Sequence, residues 1–139
     1  ACGASRSTRL DLALNDFVIT ALMTGEIEVL SDGKPWRPFI HIKDMALSMK
    51  HCLNAPLDNS FEVYNVGSKG CISEAEFGLY LAKKMKYNKD LIKVIKFKKK
   101  MLLARRPNYM CMNVTKFERS FSQKTRNCYQ EIDQAIKYK

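Results

Sequence analysis

Short apolar strand patterns alternate with segments of helical periodicity along this chain, and that alternation limits the possible folds more than any other feature. The first helical pattern spaces apolar side chains at i, i+3, i+4, i+7 and i+8 and ends at Gly25. Strand patterns follow at IEVL (27–30), FIHI (39–42), FEVYNVGS (61–68) and LIKVIKF (91–97). The predicted order is helix, strand, strand, helix, strand, helix, strand, helix, helix, which indicates an α/β fold.

Capping residues mark where the later helices begin. Asp44 follows FIHI and is a candidate N-cap for the second helix. Ser73 and Glu76 have the spacing of a capping box, which predicts a third helix starting beside them. We expect a short helix from about Thr115 and a terminal helix over about 130–136.

The composition is that of a globular protein. Hydrophobic residues make up 46% of the 139 residues and charged residues 27%. No apolar run approaches the roughly 20 residues that a membrane helix needs, and the N-terminal residues have no signal-peptide pattern. The five cysteines are odd in number, widely spaced and never in a CxxC pair, which predicts reduced thiols, a cytoplasmic location and no metal site.

The net charge of +10 is unevenly distributed. Residues 83–139 contain 17 Lys and Arg against 4 Asp and Glu, whereas residues 1–82 contain 7 against 10. The basic part lacks the interleaved aromatics and glycine loops of a nucleic-acid module, so a solvated face is favoured over nucleic-acid binding. A third interpretation assigns the positive field to a phosphate-bearing small substrate.

One arginine is set in a constrained backbone. The stretch DGKPWRPFIHIKDMA (32–46) places Arg37 between Trp36 and Pro38, so its backbone loses less entropy on engaging a ligand. A guanidinium can donate to two phosphate oxygens at once and keeps its charge at physiological pH. The residues alone favour equally a surface arginine that stacks on Trp36 or pairs with Asp32.

No catalytic residue is assigned from the sequence. The glycine-rich turn of dinucleotide-binding proteins, the P-loop and the serine elbow are absent, and we expect no Tyr-x-x-x-Lys pair either. His41 lies within an apolar run and is expected to be a core residue, and Asp44 is expected to cap a helix.

Four segments carry a family resemblance that covers nearly the whole chain. LDLALNDFVITALMTGEIEVLSDGKPWRPFIHIKDMA and FEVYNVGS resemble the C-terminal half of extended short-chain dehydrogenases/reductases, the NAD-dependent nucleotide-sugar epimerases and dehydratases. ISEAEFGLYLAKKM and ARRPNYMCMNVTKFE resemble the following part, with similarity to the dTDP-4-dehydrorhamnose reductase type. WRPFIHIKDMA and FEVYNVGS are the most specific matches.

The resemblance implies a set of substrate-binding residues. Arg37 would contact the diphosphate of a nucleotide sugar, Val29 and Leu30 would line the base, and Arg106 would also reach the nucleotide. Two positions depart from the family pattern, since Pro38 and Asn113 stand where an aspartate is common.

The resemblance also implies how the chain is organised. Residues 1–139 would form a single substrate-binding portion of an extended Rossmann-type enzyme, with the N-terminal dinucleotide-binding half and the catalytic Tyr-x-x-x-Lys absent. FEVYNV would join the large sheet of that missing half. The complete enzyme would use NAD or NADP, bind a nucleotide sugar and be able to form a homodimer. This chain alone would bind no cofactor and would not be catalytically competent. The alternative from a different class is a non-catalytic basic interaction module, or a truncated remnant, that binds an acidic partner.

Overall fold

The computed structural model describes residues 2–3, 6, 12–29, 33–56, 61–88, 90, 92–94 and 107–137. The chain forms two compact units, and it passes between them more than once. Unit 1 comprises Ala1–Ala4, Pro38–Cys71 and Cys111–Lys139, and unit 2 comprises Ser5–Arg37 and Ile72–Met110. That residues 1–139 form a single substrate-binding portion stays a prediction.

Unit 2 is built on two helices and two short sheets. Its helices are α1 (Ala13–Thr24) and α3 (Glu74–Lys84), and its strands are β1 (Ile27–Val29), β2 (Trp36–Arg37), β3 (Ile72–Ser73) and β4 (Ile92–Val94). Strand β1 pairs in parallel with β4, and β2 pairs antiparallel with β3. The described residues therefore give two sheets of two strands each.

The core of unit 2 forms where α1 and α3 meet β1. Phe17 of α1 stacks on Phe77 of α3 with ring centroids 5.4 Å apart. Gly78 lies beside them, and a Cβ there would sit 3.6 Å from the Phe17 ring and 3.8 Å from Ile27 and Val29. Burial of these apolar side chains stabilises unit 2 and fixes α3 against the β1 strand.

Unit 1 contains the other three helices. They are α2 (Ile42–Leu53), α4 (Thr115–Phe121) and α5 (Cys128–Ile136). Its buried apolar side chains include Ile40, Val114, Phe117 and Ile132. Helix α5 begins with a capping box made by Asn127 and Gln130, which satisfies backbone N–H groups that the first turn leaves without helical partners.

Several predicted elements are confirmed. Helix α1 ends at Gly25, whose φ of 71° is the left-handed conformation that a glycine C-cap adopts at low cost. Helix α3 begins with the Ser73–Glu76 capping box. The short helix from Thr115 and the terminal helix are also present, so the element order follows the predicted order.

Three predictions are wrong in detail. FIHI does not form the second strand, because β2 is Trp36–Arg37 and the chain enters α2 at Ile42. The N-cap of α2 is His41, whose Nδ1 accepts from the Lys43 amide at 3.3 Å, and Asp44 lies inside the first turn. Residues 61–66 belong to none of the described strands, and the third strand is β3 instead.

None of the described helices has the length and apolar character needed to cross a membrane.

Candidate functional site

Arg37 is anchored to backbone carbonyls. Its Nη1 donates to the Trp36 carbonyl at 3.0 Å and to the Pro107 carbonyl at 3.1 Å, and the side chain is half-buried. Among the described residues, its other guanidinium donors have no hydrogen-bond partner. One side of the planar fork is therefore fixed, and the remaining N–H groups can meet an anion.

The described contacts of Arg37 differ from the predicted stacking on Trp36. Its recorded contacts are with carbonyl oxygens, and the Trp36 ring instead lies 6.5 Å, centroid to centroid, from the Tyr109 ring. Asp32 lies outside the described residues.

Strand β2 is held from both edges. On one edge Trp36 pairs with Ser73 of β3. On the other, the Trp36 amide donates to the Asn108 carbonyl at 2.6 Å, and the Met110 amide donates to the Trp36 carbonyl at 3.1 Å. Two chain segments that are far apart in sequence thus fix the backbone that carries Arg37.

The other predicted substrate-binding residues are only partly placed. Val29 lies in β1, where its side chain is fully buried and faces Gly78 of α3. Leu30 and Arg106 lie outside the described residues. Val29, the candidate for the base wall, and Arg37, the candidate diphosphate ligand, belong to the same unit. They lie in different sheets of that unit.

Unit 1 contains a buried charged cluster that the sequence did not predict. Glu131 is 1% exposed, and its Oε2 accepts from the His41 amide at 2.8 Å. The Asp44 carboxyl lies near enough to raise the pKa of Glu131, and Asp44 itself forms an ion pair with Arg126. We name the set of Glu131, His41, Asp44 and Arg126 the carboxyl cluster.

Burial controls protonation in the carboxyl cluster. Loss of water, with a further contribution from Asp44, raises the pKa of Glu131 to about 7, although the His41 amide and Arg126 act in the opposite direction. Burial also lowers the pKa of His41. It raises the pKa of the nearby Cys2 thiol to about 11, assisted by the charge of Glu131.

A cavity of about 140 Å³ adjoins this cluster. Its lining includes Asp44, Arg126 and Glu131 together with apolar side chains such as Leu47 and Phe117. Because Arg126 is already paired with Asp44 and Glu131 already accepts from the His41 amide, the arrangement serves to hold α5 on the start of α2. Among the described residues, no three His, Cys, Asp or Glu side chains gather as a metal site.

The spacing of buried residues along α5 could have predicted that Glu131 is buried. It lies three residues after Cys128 and one before Ile132, and both of these side chains are buried in α5. A carboxyl at a core-facing helical position needs partners, and those partners come from residues about 90 positions earlier in the chain.

One expected absence needs correction. Tyr80 and Lys84 have the Tyr-x-x-x-Lys spacing, so the expectation that the sequence contains no such pair is wrong. They lie one turn apart on α3, with the Lys84 Nζ 5.2 Å from the centre of the Tyr80 ring. This is the contact expected of an i, i+4 pair on a helix, and we assign it no catalytic role.

The interpretation of all five cysteines as reduced thiols also differs from the structure. Cys71 and Cys111 form a disulfide with their Cα atoms 5.3 Å apart. Cys2, Cys52 and Cys128 are free.

Comparison with known proteins places this geometry in a known fold. The model of the NAD-dependent epimerase/dehydratase family matches residues 3–67, just under half of the chain. No curated protein matches the sequence significantly.

Solved structures match over a longer stretch. A dTDP-glucose 4,6-dehydratase from Bacillus anthracis in complex with NAD is similar at 15% identity and a TM-score of 0.77, over 98% of this chain and 41% of that one. A UDP-glucuronic acid 4-epimerase from Bacillus cereus, in complex with UDP-glucuronic acid and NAD, is similar at 18% identity and a TM-score of 0.75, over 94% of this chain and 40% of that one. The chain thus shares its α/β fold with parts of these two enzymes and spans about two fifths of their length.

Proposed function

We propose that this chain is the C-terminal, substrate-binding portion of an NAD(P)-dependent nucleotide-sugar epimerase, dehydratase or reductase. The observation that carries the proposal is the agreement of two independent comparisons. The epimerase/dehydratase family model matches residues 3–67, and the fold matches nucleotide-sugar enzymes over nearly the whole chain. The share of those enzymes that the chain spans, about 40%, supports a partial role for it.

Arg37 is the residue that we assign to the substrate diphosphate. Its guanidinium is held on two carbonyls by one nitrogen, which leaves N–H donors for phosphate oxygens at little entropic cost. In the complete enzyme, its contribution would be to neutralise charge and to orient the sugar. Val29, Leu30 and Arg106 remain proposed neighbours of the nucleotide.

The cofactor is assigned to residues outside this chain. NAD(P) supplies hydride transfer when it is bound. None of the six glycines in this sequence falls in a G-x-G-x-x-G arrangement, which is the backbone that a dinucleotide pyrophosphate approaches. The residues present therefore do not fit the cofactor, and we derive no catalytic step through it. A cytoplasmic location and a homodimeric complete enzyme are part of the same proposal.

Trp36 makes the proposal directly testable, because it is the only tryptophan and precedes Arg37. We expect UDP-glucose or dTDP-glucose to change Trp36 fluorescence saturably in the 139-residue chain. Arg37→Ala should weaken that binding by about 10-fold or more, since a charge-assisted hydrogen bond contributes ~1.5–3 kcal/mol.

Arg119→Ala is the matched control, because it removes an exposed guanidinium from α4 in the other unit. It should leave the affinity unchanged. Equal affinity of the wild-type chain and Arg37→Ala would remove Arg37 from the diphosphate role. A wild-type chain that responds to neither nucleotide sugar would contradict substrate binding by this portion.

A further inference from the structure

The disulfide occupies a particular place in the chain path. Cys71 directly precedes β3, and Cys111 directly follows Met110. These are the two segments that pair with the edges of β2, through Ser73 on one side and through the 108–110 backbone on the other. The disulfide therefore links the two residues that directly adjoin the segments paired with β2.

The two cysteines lie close enough to form this bond, although they adjoin segments on opposite edges of β2. Segments on either side of a central strand lie about 10 Å apart, twice the spacing between neighbouring strands. The Cα atoms of Cys71 and Cys111 are only 5.3 Å apart, within the range that a disulfide spans. This convergence comes where β2 has ended at Arg37 and Pro38, which lacks an N–H, follows.

Arg37 depends on one of these segments directly. Its Nη1 donates to the carbonyl of Pro107, four residues before Cys111. When the bridge is open, the described contacts of the 107–110 segment with β2 are three hydrogen bonds, two to the Trp36 backbone and one from Arg37, and the Tyr109 ring beside the Trp36 ring. When the bridge is closed, the segment is also tied covalently to the chain that enters β3.

We propose that Cys71 and Cys111 are a reversible redox pair that controls the Arg37 site. In the disulfide form, the bridge restrains both segments that pair with β2, and it thereby holds the Arg37 guanidinium in the position that binds an anion. We call this restraint the clamp. In the dithiol form, the 107–110 segment is released from that clamp and the site loosens. This inference rests on the proposed function only for the identity of the anion.

The oxidant that we assign is a small-molecule disulfide of the glutathione class. One cysteine thiolate attacks glutathione disulfide, releases one glutathione and forms a mixed disulfide. The second thiolate then attacks the protein sulfur of that mixed disulfide, which forms the Cys71–Cys111 bond and releases the second glutathione. Two electrons pass to glutathione disulfide and two thiol protons are released to the two glutathione products. Both cysteines are half-buried and so within reach of solvent, unlike the buried Cys128.

The first test counts thiols in the full chain after treatment with glutathione disulfide or with dithiothreitol. Maleimide labelling of the denatured chain, read by intact mass, should give three labels after oxidation and five after reduction. Peptide mapping should place the lost labels at Cys71 and Cys111. Five labels in both samples, or a bridge that involves another cysteine, would overturn the proposal.

The second test measures the clamp without any ligand. We expect amide hydrogen exchange at Trp36 and Met110 to be about 10-fold slower or more in the oxidised chain, since closing a loop limits local opening. Cys71→Ser/Cys111→Ser should exchange at the fast rate under both conditions. Cys52→Ser, which removes an exposed free thiol, should keep the redox response. Equal exchange rates in the oxidised and reduced wild-type chain would refute the clamp, and this comparison needs no variant to fold.

The third test links the bridge to the site. UDP-glucose affinity, measured by Trp36 fluorescence, should fall about 5-fold on reduction, because the freed segment must be ordered again on binding. A formed bridge with equal affinity in both states would refute control of the site. If neither state binds any nucleotide sugar, the proposed function fails, and the thiol count and the exchange rates still decide whether the bridge clamps β2.

Discussion

The buried carboxyl of Glu131 predicts an unusual dependence of stability on pH. Its pKa in the folded chain is raised to about 7 from an ordinary value of 4.5. The folded state therefore binds more protons than the unfolded state between these values. The corresponding stabilisation is fully present below about pH 4.5 and is lost as the pH rises through 7.

The magnitude follows from the size of that shift. Each pKa unit corresponds to ~1.4 kcal/mol, so the shift amounts to about 3 kcal/mol of stability lost above pH 7. Glu131→Gln removes the titration while its amide oxygen can still accept from the His41 amide. The variant should match the wild type near pH 5 and be more stable by about 3 kcal/mol near pH 8.5.

The assay is urea unfolding followed by circular dichroism at 222 nm, between pH 5 and pH 8.5. Circular dichroism is preferred to Trp36 fluorescence, because Glu131 and Trp36 lie in different units. Burial lowers the pKa of His41, a second ionisable group of the carboxyl cluster, so the quantity to compare is the difference between variant and wild type at each pH. Glu62→Gln, an exposed carboxylate paired with Lys116, should show no comparable pH-dependent gain. A difference for Glu131→Gln that does not change with pH, or a loss of stability at pH 8.5, would refute the reasoning.

Four further predictions concern stability, each measured as a change in the free energy of urea unfolding. Gly78→Ala should stabilise the chain by ~0.5–1 kcal/mol, because its Cβ would make only ordinary contacts within α3, and an unchanged or lower stability would contradict this. Gly33→Ala should instead destabilise it by ~1–3 kcal/mol, because Gly33 has a φ of 74° and a Cβ there would lie 2.8 Å from a neighbouring methyl group. Asn127→Ala should cost ~1 kcal/mol through loss of the α5 cap, and Asn127→Ser should recover most of it. Reducing the Cys71–Cys111 bridge should cost about 4 kcal/mol by the chain-entropy estimate for a separation of 40 residues, and Cys71→Ser/Cys111→Ser should be insensitive to reductant.

Local signals predicted the helices well because the interactions that form their ends are local. The Ser73–Glu76 capping box and the left-handed Gly25 each depend on residues within one turn. The same kind of reasoning misplaced the start of α2. Asp44 has a good capping side chain, but the chain turns at His41, where the backbone N–H is taken by Glu131 from α5.

The strands were less predictable because strand pairing is a property of the whole fold. FEVYNV has a strong strand pattern, yet residues 61–66 lie in none of the described strands, and Phe61 is 92% exposed. Strand β2 has only two residues, and it exists because Ser73 and the 108–110 segment meet its edges. No window of sequence around Trp36 contains that information.

The candidate site divides in the same way. The constrained backbone around Arg37 was visible in the sequence, because prolines and a tryptophan adjoin it. Its anchor on Pro107 is 70 residues away and could come only from the structure. The disulfide was missed for a related reason, since the sequence does not show that Cys71 and Cys111 are neighbours in space.

The central claim is that this chain binds a nucleotide sugar at the Arg37 strand, and mapping by nuclear magnetic resonance tests it most directly. A ¹⁵N-labelled chain would be titrated with UDP-glucose and with dTDP-glucose, and backbone amide shifts would be followed residue by residue. We predict that the largest saturable shifts fall at Trp36 and Arg37 and in β1, and that Arg37→Ala removes them. Shifts confined to the carboxyl cluster or to the basic residues after 83, or no shifts with either compound, would contradict the account.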